Sequence, residues 1–252
     1  MGLNWFRYSS PASFYPLAGK MVPWFTIIAI ISAVIGLYIS FFVTPPVLSD
    51  QKEYYRIIFL HVPAAWMSMW LYIVMAGWAV IGLVFGTRLS FMMASATAPT
   101  GAMFTFLALW TGSFWGRTSW GTWWDWDPRL TFELILFFLY VGFMALHAAI
   151  DDPRRADRAT ALLALVGLIC VPVIYYSVQC PDPNSLNCKA LHQTSSFRSV
   201  DPSIVSAMLI MSLAAWMYSF AVILVRVRSI ILEREKRSEW VGEMMGGASG
   251  HD

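Results

Sequence analysis

The sequence predicts an all-α polytopic membrane protein with six transmembrane helices and both termini in the cytoplasm. Three observations carry this. Of the 252 residues, 58% are hydrophobic and 13% charged, about half the charge of an ordinary soluble domain. Six apolar stretches, at 22–43, 58–85, 91–112, 131–150, 159–178 and 203–225, meet the length of about 20 residues that a helix needs to cross the hydrocarbon. Basic residues are shared unequally between the two sides that these stretches define.

Lipid leaves unpaired backbone groups unsatisfied, so each stretch is expected to be a helix. The stretches are too long and continuous for the alternating strands of an outer-membrane barrel. The first begins some twenty residues into the chain and lacks a small-residue cleavage site after it, so it reads as an anchor and not a signal peptide. The second is long and starts near Pro63, which lets its first turns project from the bilayer. Pro99 and Pro172 are the evident breakers inside spans. Six spans put Arg7, Lys20, Arg88, Arg154, Arg155, Arg158, Arg226, Arg228, Arg234, Lys236 and Arg237 on one side. Lys52, Arg56, Arg117, Arg129, Lys189 and Arg198 fall on the other. Eleven against six assigns the first side to the cytoplasm. Residues 1–252 then form a single membrane domain, with a basic cytoplasmic tail at 227–252. A net charge of +2 does not point to nucleic acid. No G-x-x-x-x-G-K-[ST] loop occurs, so any ATP hydrolysis falls to a partner. No Ser-His-Asp or metal-hydrolase pattern is visible either, and no catalytic base is evident.

The outer loops, about 44–57, 113–130 and 179–202, hold most of the unusual residues. The middle one reads Trp120-Gly121-Thr122-Trp123-Trp124-Asp125-Trp126-Asp127-Pro128-Arg129-Leu130-Thr131. With Trp110 and Trp115, six of the chain's 13 tryptophans fall within 17 residues. Interfacial enrichment explains one or two tryptophans. Six, interleaved with glycine, aspartate and arginine, offer a rigid aromatic surface with polar handles, suited to a large planar ligand with charged edges. Of the four histidines, His61 and His192 face this same side, and His is a common axial ligand of haem iron. Arg56, Arg117, Arg129 and Arg198 are on hand for propionates. His147, near the cytoplasmic end of the fourth span, and His251, in the tail, are poor candidates.

These residues resemble the tryptophan-rich WWD signature of haem-handling proteins. The segments around His61 and His192, the six spans and the length resemble the CcmC family of bacterial cytochrome c maturation, over essentially the whole chain. The resemblance implies a bacterial inner-membrane protein with a periplasmic haem site. It implies haem b held non-covalently, with His61 and His192 as axial ligands beside Trp115, Trp120, Trp123, Trp124, Trp126, Asp127, Arg129 and Arg56. It further implies presentation of haem to the chaperone CcmE, and association with the ABC-type subunits CcmA and CcmB and the small protein CcmD.

Some features stand beside that resemblance. Cys180 and Cys188 lie in the third outer loop, outside the family pattern; in an oxidising compartment they read as a disulfide, with a free thiol pair or a redox role as alternatives. Cys170 reads as a packing residue. Glu133 is either functional, as ionisable groups at membrane depth tend to be, or a partner for Arg129 at i,i+4 spacing. Asp125 and Asp127 would repel propionates, so they are expected to orient Arg129, cap the next helix or meet a partner. Three classes of function compete: a haem-binding assembly factor, a bis-His electron-transfer cytochrome, and a transporter moving haem itself.

Overall fold

The computed structural model describes residues 8–45, 52–177 and 200–246. Helix α1 (Pro11–Tyr38) runs into a π-helical turn (Ile39–Val43), and a 3-10 turn (Lys52–Ile57) leads into α2 (Ile58–Phe85). Next come α3 (Arg88–Ser119), α4 (Pro128–Ala149), the successive helices α5 (Pro153–Gly167) and α6 (Cys170–Tyr176), α7 (Pro202–Arg234) and the short α8 (Glu239–Gly246). Six segments, taking α5 with α6 as one, are long and apolar enough to cross a membrane, which bears out the six-span expectation. The chain reverses between successive spans, so the bundle has two ends. One, the loop end, carries residues 120–127 and the start of α2. The other, the tail end, carries the α2–α3 and α4–α5 connections and the end of α7.

Helix starts are written locally. Asp127, Asp152 and Asp201 are N-caps of α4, α5 and α7, each followed by proline at the first helical position. The carboxylate accepts backbone N–H groups that the first turn leaves unbonded, and proline there has no N–H to lose. Asp127 accepts from Leu130 N at 2.7 Å and Asp152 from Arg155 N at 2.8 Å. Asp201 accepts from the Ser203 hydroxyl and backbone N–H, and these bonds hold its carboxyl below the usual range.

Helices outrun their apolar cores. α1 begins at Pro11, capped by Ser10, well before residue 22, because apolar content marks only the buried middle of a span. For the same reason α3 continues to Ser119. Trp110, Trp115 and Arg117 therefore stand on a helix, and irregular chain in the segment 113–130 is confined to residues 120–127. The fifth span is broken between α5 and α6. Proline at 172 has no N–H for the Leu168 carbonyl, and Val171 N bonds that carbonyl instead at 3.2 Å, in a tightened turn. Pro99 leaves α3 continuous. Residues 227–234, the start of the basic tail, continue the last long helix: α7 carries straight through to Arg234.

α3 lies at the centre, between α2, α4 and α7. Lipid tails are as apolar as leucine, so membrane helices associate through close packing, which small residues permit. Buried Ala94, Ala98, Gly101, Ala102 and Ala108 supply it on α3. A Cβ on Gly101 would enter the Tyr140 ring of α4. That ring is fully buried, and its hydroxyl donates to the Ser68 carbonyl of α2 at 2.9 Å. α1 packs on α7 at the edge of the bundle and exposes Trp24, Ile30 and Val34.

At the tail end, Arg234 donates to both oxygens of Asp157 at 2.8 Å and to His147 Nε2 at 2.9 Å. Arg88 pairs with Glu235 at 3.0 Å. His147 thus has a place in a polar clasp joining α4, α5 and α7.

Candidate functional site

The first turns of α2 and α4 and the last turns of α3 meet at the loop end. His61, four residues into α2, is buried. Its ring rests on one face of α3, formed by Ala108, Thr111, Gly112 and Trp115 at i, i+3, i+4 and i+7 spacing, which places all four on one stripe. Nδ1 lies 3.0 Å from the Thr111 hydroxyl. The Trp115 ring meets the imidazole edge-on, with centroids 5.7 Å apart at 79°. A Cβ on Gly112 would come within 2.9 Å of the imidazole Cε1, so only glycine leaves room there.

Beside this ring is a small, partly open pocket lined by His61, Ala65, Ala108, Leu109, Arg129, Leu130 and Glu133. Arg129 and Glu133 are one turn apart on α4. The cavity thus combines an imidazole, a guanidinium and a buried carboxylate with apolar walls. Glu133 Oε1 has no hydrogen-bond partner among the described residues, and neither do the buried indole nitrogens of Trp115 and Trp124.

The 120–127 loop, at the same end of the bundle, is tied down along its length. Ser113 Oγ donates to the Trp123 carbonyl at 2.8 Å. Arg117 donates to the Gly121 carbonyl. Thr122 Oγ1 donates to the Trp124 carbonyl at 2.9 Å and accepts from Trp124 N. Gly121 has φ +79°, a conformation costly for any residue with a Cβ, and this lets the chain turn sharply off α3.

The tryptophans do not share one surface. Trp110, Phe114 and Trp123 form an edge-to-face ladder, with centroids 5.1 and 5.4 Å apart, on the exposed side of α3. Trp115 faces His61 instead. Trp120 is half-buried over Gly116, whose Cβ would meet the indole at 3.1 Å. Trp124 is half-buried and meets Trp126 edge-on at 5.6 Å, and Trp126 itself is 73% exposed.

Other residues singled out by the sequence have separate positions. Asp127 caps α4, as one of the readings of that residue expected. Arg56 ion-pairs with Glu53 at 2.5 Å, donates to Thr44 Oγ1 at 2.6 Å and also donates to the Ser40 carbonyl. It thereby closes the end of the first span, where helix carbonyls lack intrahelical donors, and it does not line the cavity. His192, Cys180, Cys188, Lys189 and Arg198 lie outside the described residues. Cys170 is buried in the packing between α4 and α6. Thr111 and Gly112 were not singled out from the sequence, although their spacing to Trp115 was available to find them.

A family model described as Heme exporter protein C matches residues 4–242. The chain belongs to this family. It is 43% identical over 237 residues to the Heme exporter protein C of Escherichia coli K12, covering 93% of this chain and 94% of that one. It is 42% identical over 230 residues to that of Bradyrhizobium diazoefficiens, covering 91% and 86%. With that of Haemophilus influenzae the identity is 34% over 239 residues, covering 93% and 94%. Family membership and the six apolar helices make this a multi-pass protein of the bacterial inner membrane.

The donor set fits haem. A buried imidazole, a guanidinium and apolar walls share one pocket, and an aromatic loop is fixed at the same end of the bundle. These are the groups needed for iron, for a propionate and for the porphyrin face.

Proposed function

We propose that this protein holds haem b non-covalently at the periplasmic face of the inner membrane and presents it to the chaperone CcmE during cytochrome c maturation. The observation that carries this reading is that His61 and Arg129 line one pocket at the end of the bundle that carries the tryptophan loop. Membership of the Heme exporter protein C family supports it. The excess of basic residues on the side of the termini supports the orientation.

In this reading His61 and His192 would supply nitrogens to the haem iron, and Arg129 would bond a propionate. Trp115 stacks its edge on the His61 ring and limits its rotation. The bound porphyrin supplies the iron that the two imidazoles ligate. Trp126, exposed beside the N-cap of α4, meets the incoming chaperone. CcmA and CcmB fit as the source of ATP hydrolysis, because this chain has no phosphate-binding loop, and CcmD fits as a small membrane partner. Because the cavity sits at one end of the bundle, it supports presentation at a face in preference to conduction along a central path.

The test is an optical spectrum of protein purified from haem-replete cells, with covalent haem on CcmE measured in parallel. A low-spin bis-His signal is expected in the wild type, and His61→Ala or His192→Ala should weaken it and depress transfer. Wild-type spectra and transfer in both variants would reject the assignment.

A further inference from the structure

We propose that Thr111 is a positioning residue that fixes the tautomer of His61, so that Nε2 carries the lone pair offered to iron. The inference rests on the reading of His61 as a haem ligand given above. It follows from the direction of two hydrogen bonds.

Thr111 Oγ1 lies 2.5 Å from the Leu107 carbonyl of its own helix and 3.4 Å from that of Ala108. A carbonyl only accepts, so the single hydroxyl hydrogen is committed there. What Thr111 can then offer the imidazole is an oxygen lone pair. His61 Nδ1, 3.0 Å away, must therefore be the protonated nitrogen. In the opposite tautomer two lone pairs would face each other inside a packed interface. Neutral imidazole carries one ring proton, so placing it on Nδ1 leaves the lone pair on Nε2. A ligating histidine usually has its other nitrogen held by such an acceptor, which sets both ring orientation and basicity.

The neighbours of Thr111 keep the bond in place. Gly112 lets the ring approach α3 closely, where a Cβ would come within 2.9 Å of the imidazole Cε1, and Trp115 meets the ring edge-on. The ring is thus clamped by three residues of one helical stripe, and a single hydroxyl selects which nitrogen is presented.

The experiment reads the tautomer without haem and the ligand field with it. Full-length protein labelled with ¹⁵N-histidine is placed in detergent micelles, and the His61 resonances are assigned by their loss in His61→Ala. Wild type should show protonated Nδ1 and unprotonated Nε2. Thr111→Val, which keeps the shape and removes the acceptor, should lose that preference, and Thr111→Ser should restore it. In haem-loaded protein, Thr111→Val should raise the midpoint potential, because a weaker acceptor makes a less basic ligand, and should weaken haem binding about tenfold; Thr111→Ser should reverse both. A wild-type His61 protonated at Nε2, or a Thr111→Val protein with the wild-type tautomer and potential, would overturn the proposal. If Thr111→Val does not fold, the wild-type tautomer and the serine variant still decide it. Should His61→Ala keep the wild-type haem spectrum, the ligand assignment fails, and this is distinct from a failure of the Thr111 tautomer alone.

Discussion

Ser113 on α3 donates its hydroxyl to the carbonyl of Trp123, 2.8 Å away, and so folds the tryptophan loop back over the helix that precedes it. A neutral hydrogen bond of this kind contributes about 1 kcal/mol. Ser113→Ala should therefore loosen the loop without unfolding the bundle. Hydrogen exchange is expected to quicken at the amides of residues 120–127 and to stay unchanged in the middle of α2. Equal exchange in both proteins would mean that the loop is held by its other ties.

The separation of the aromatic residues makes tryptophan substitutions unequal. Trp115→Ala should remove the edge contact with His61, worth about 1 kcal/mol, and lower haem content. Trp126→Ala should spare haem content and reduce covalent haem on CcmE, because this ring is 73% exposed. Trp123→Ala should change neither strongly, since its ring extends the exposed ladder with Phe114. Haem content and CcmE loading, measured side by side, check all three; identical losses in the three variants would contradict the division.

Asp127 tests capping against ligand contact. Asp127→Ala should lower stability by about 1 kcal/mol, the usual worth of an N-cap, and Asp127→Asn should keep most of it. Thermal unfolding in detergent reads the difference. A comparable drop for asparagine would show that charge, and not the cap, is what the position requires.

The Tyr140 hydroxyl ties α4 to α2 through the Ser68 carbonyl. Its removal in Tyr140→Phe should cost about 1 kcal/mol. Gly101→Ala should cost more, since its methyl would enter the same ring. The two effects should not add, as both act on one packed contact. Additive shifts in the unfolding midpoint of the double variant would argue that the sites are independent.

At the tail end, Asp157→Asn leaves Arg234 without its bidentate partner. Removing one member of a mostly buried pair costs on the order of 3 kcal/mol. Replacing both, as in Asp157→Leu with Arg234→Met, should recover much of that loss, because no uncompensated charge remains. Unfolding in detergent compares the single and double variants; a double variant no more stable than Asp157→Asn would contradict this.

Membrane helices are legible in sequence because the bilayer imposes one rule on every residue of a span: apolar side chains and internally satisfied backbone. That rule was enough for six spans. Their true ends were also written locally, in Ser10-Pro11, Asp127-Pro128, Asp152-Pro153 and Asp201-Pro202, but apolar content alone stops short of them. The aromatic loop and His61 stood out by residue type, since tryptophan and histidine are rare enough to be conspicuous when clustered. Tertiary structure decided which of them meet. It set Arg129 and Glu133 into the cavity with His61, gave Arg56 to the end of the first span, and turned Trp115 inward while Phe114, one residue away, faces outward. It also gave Thr111 its part at His61. That assignment depends on which faces of α2, α3 and α4 pack together, and those faces are chosen by small residues such as Gly101 and Gly112, whose meaning lies in the side chains opposite them and so cannot be read along the chain.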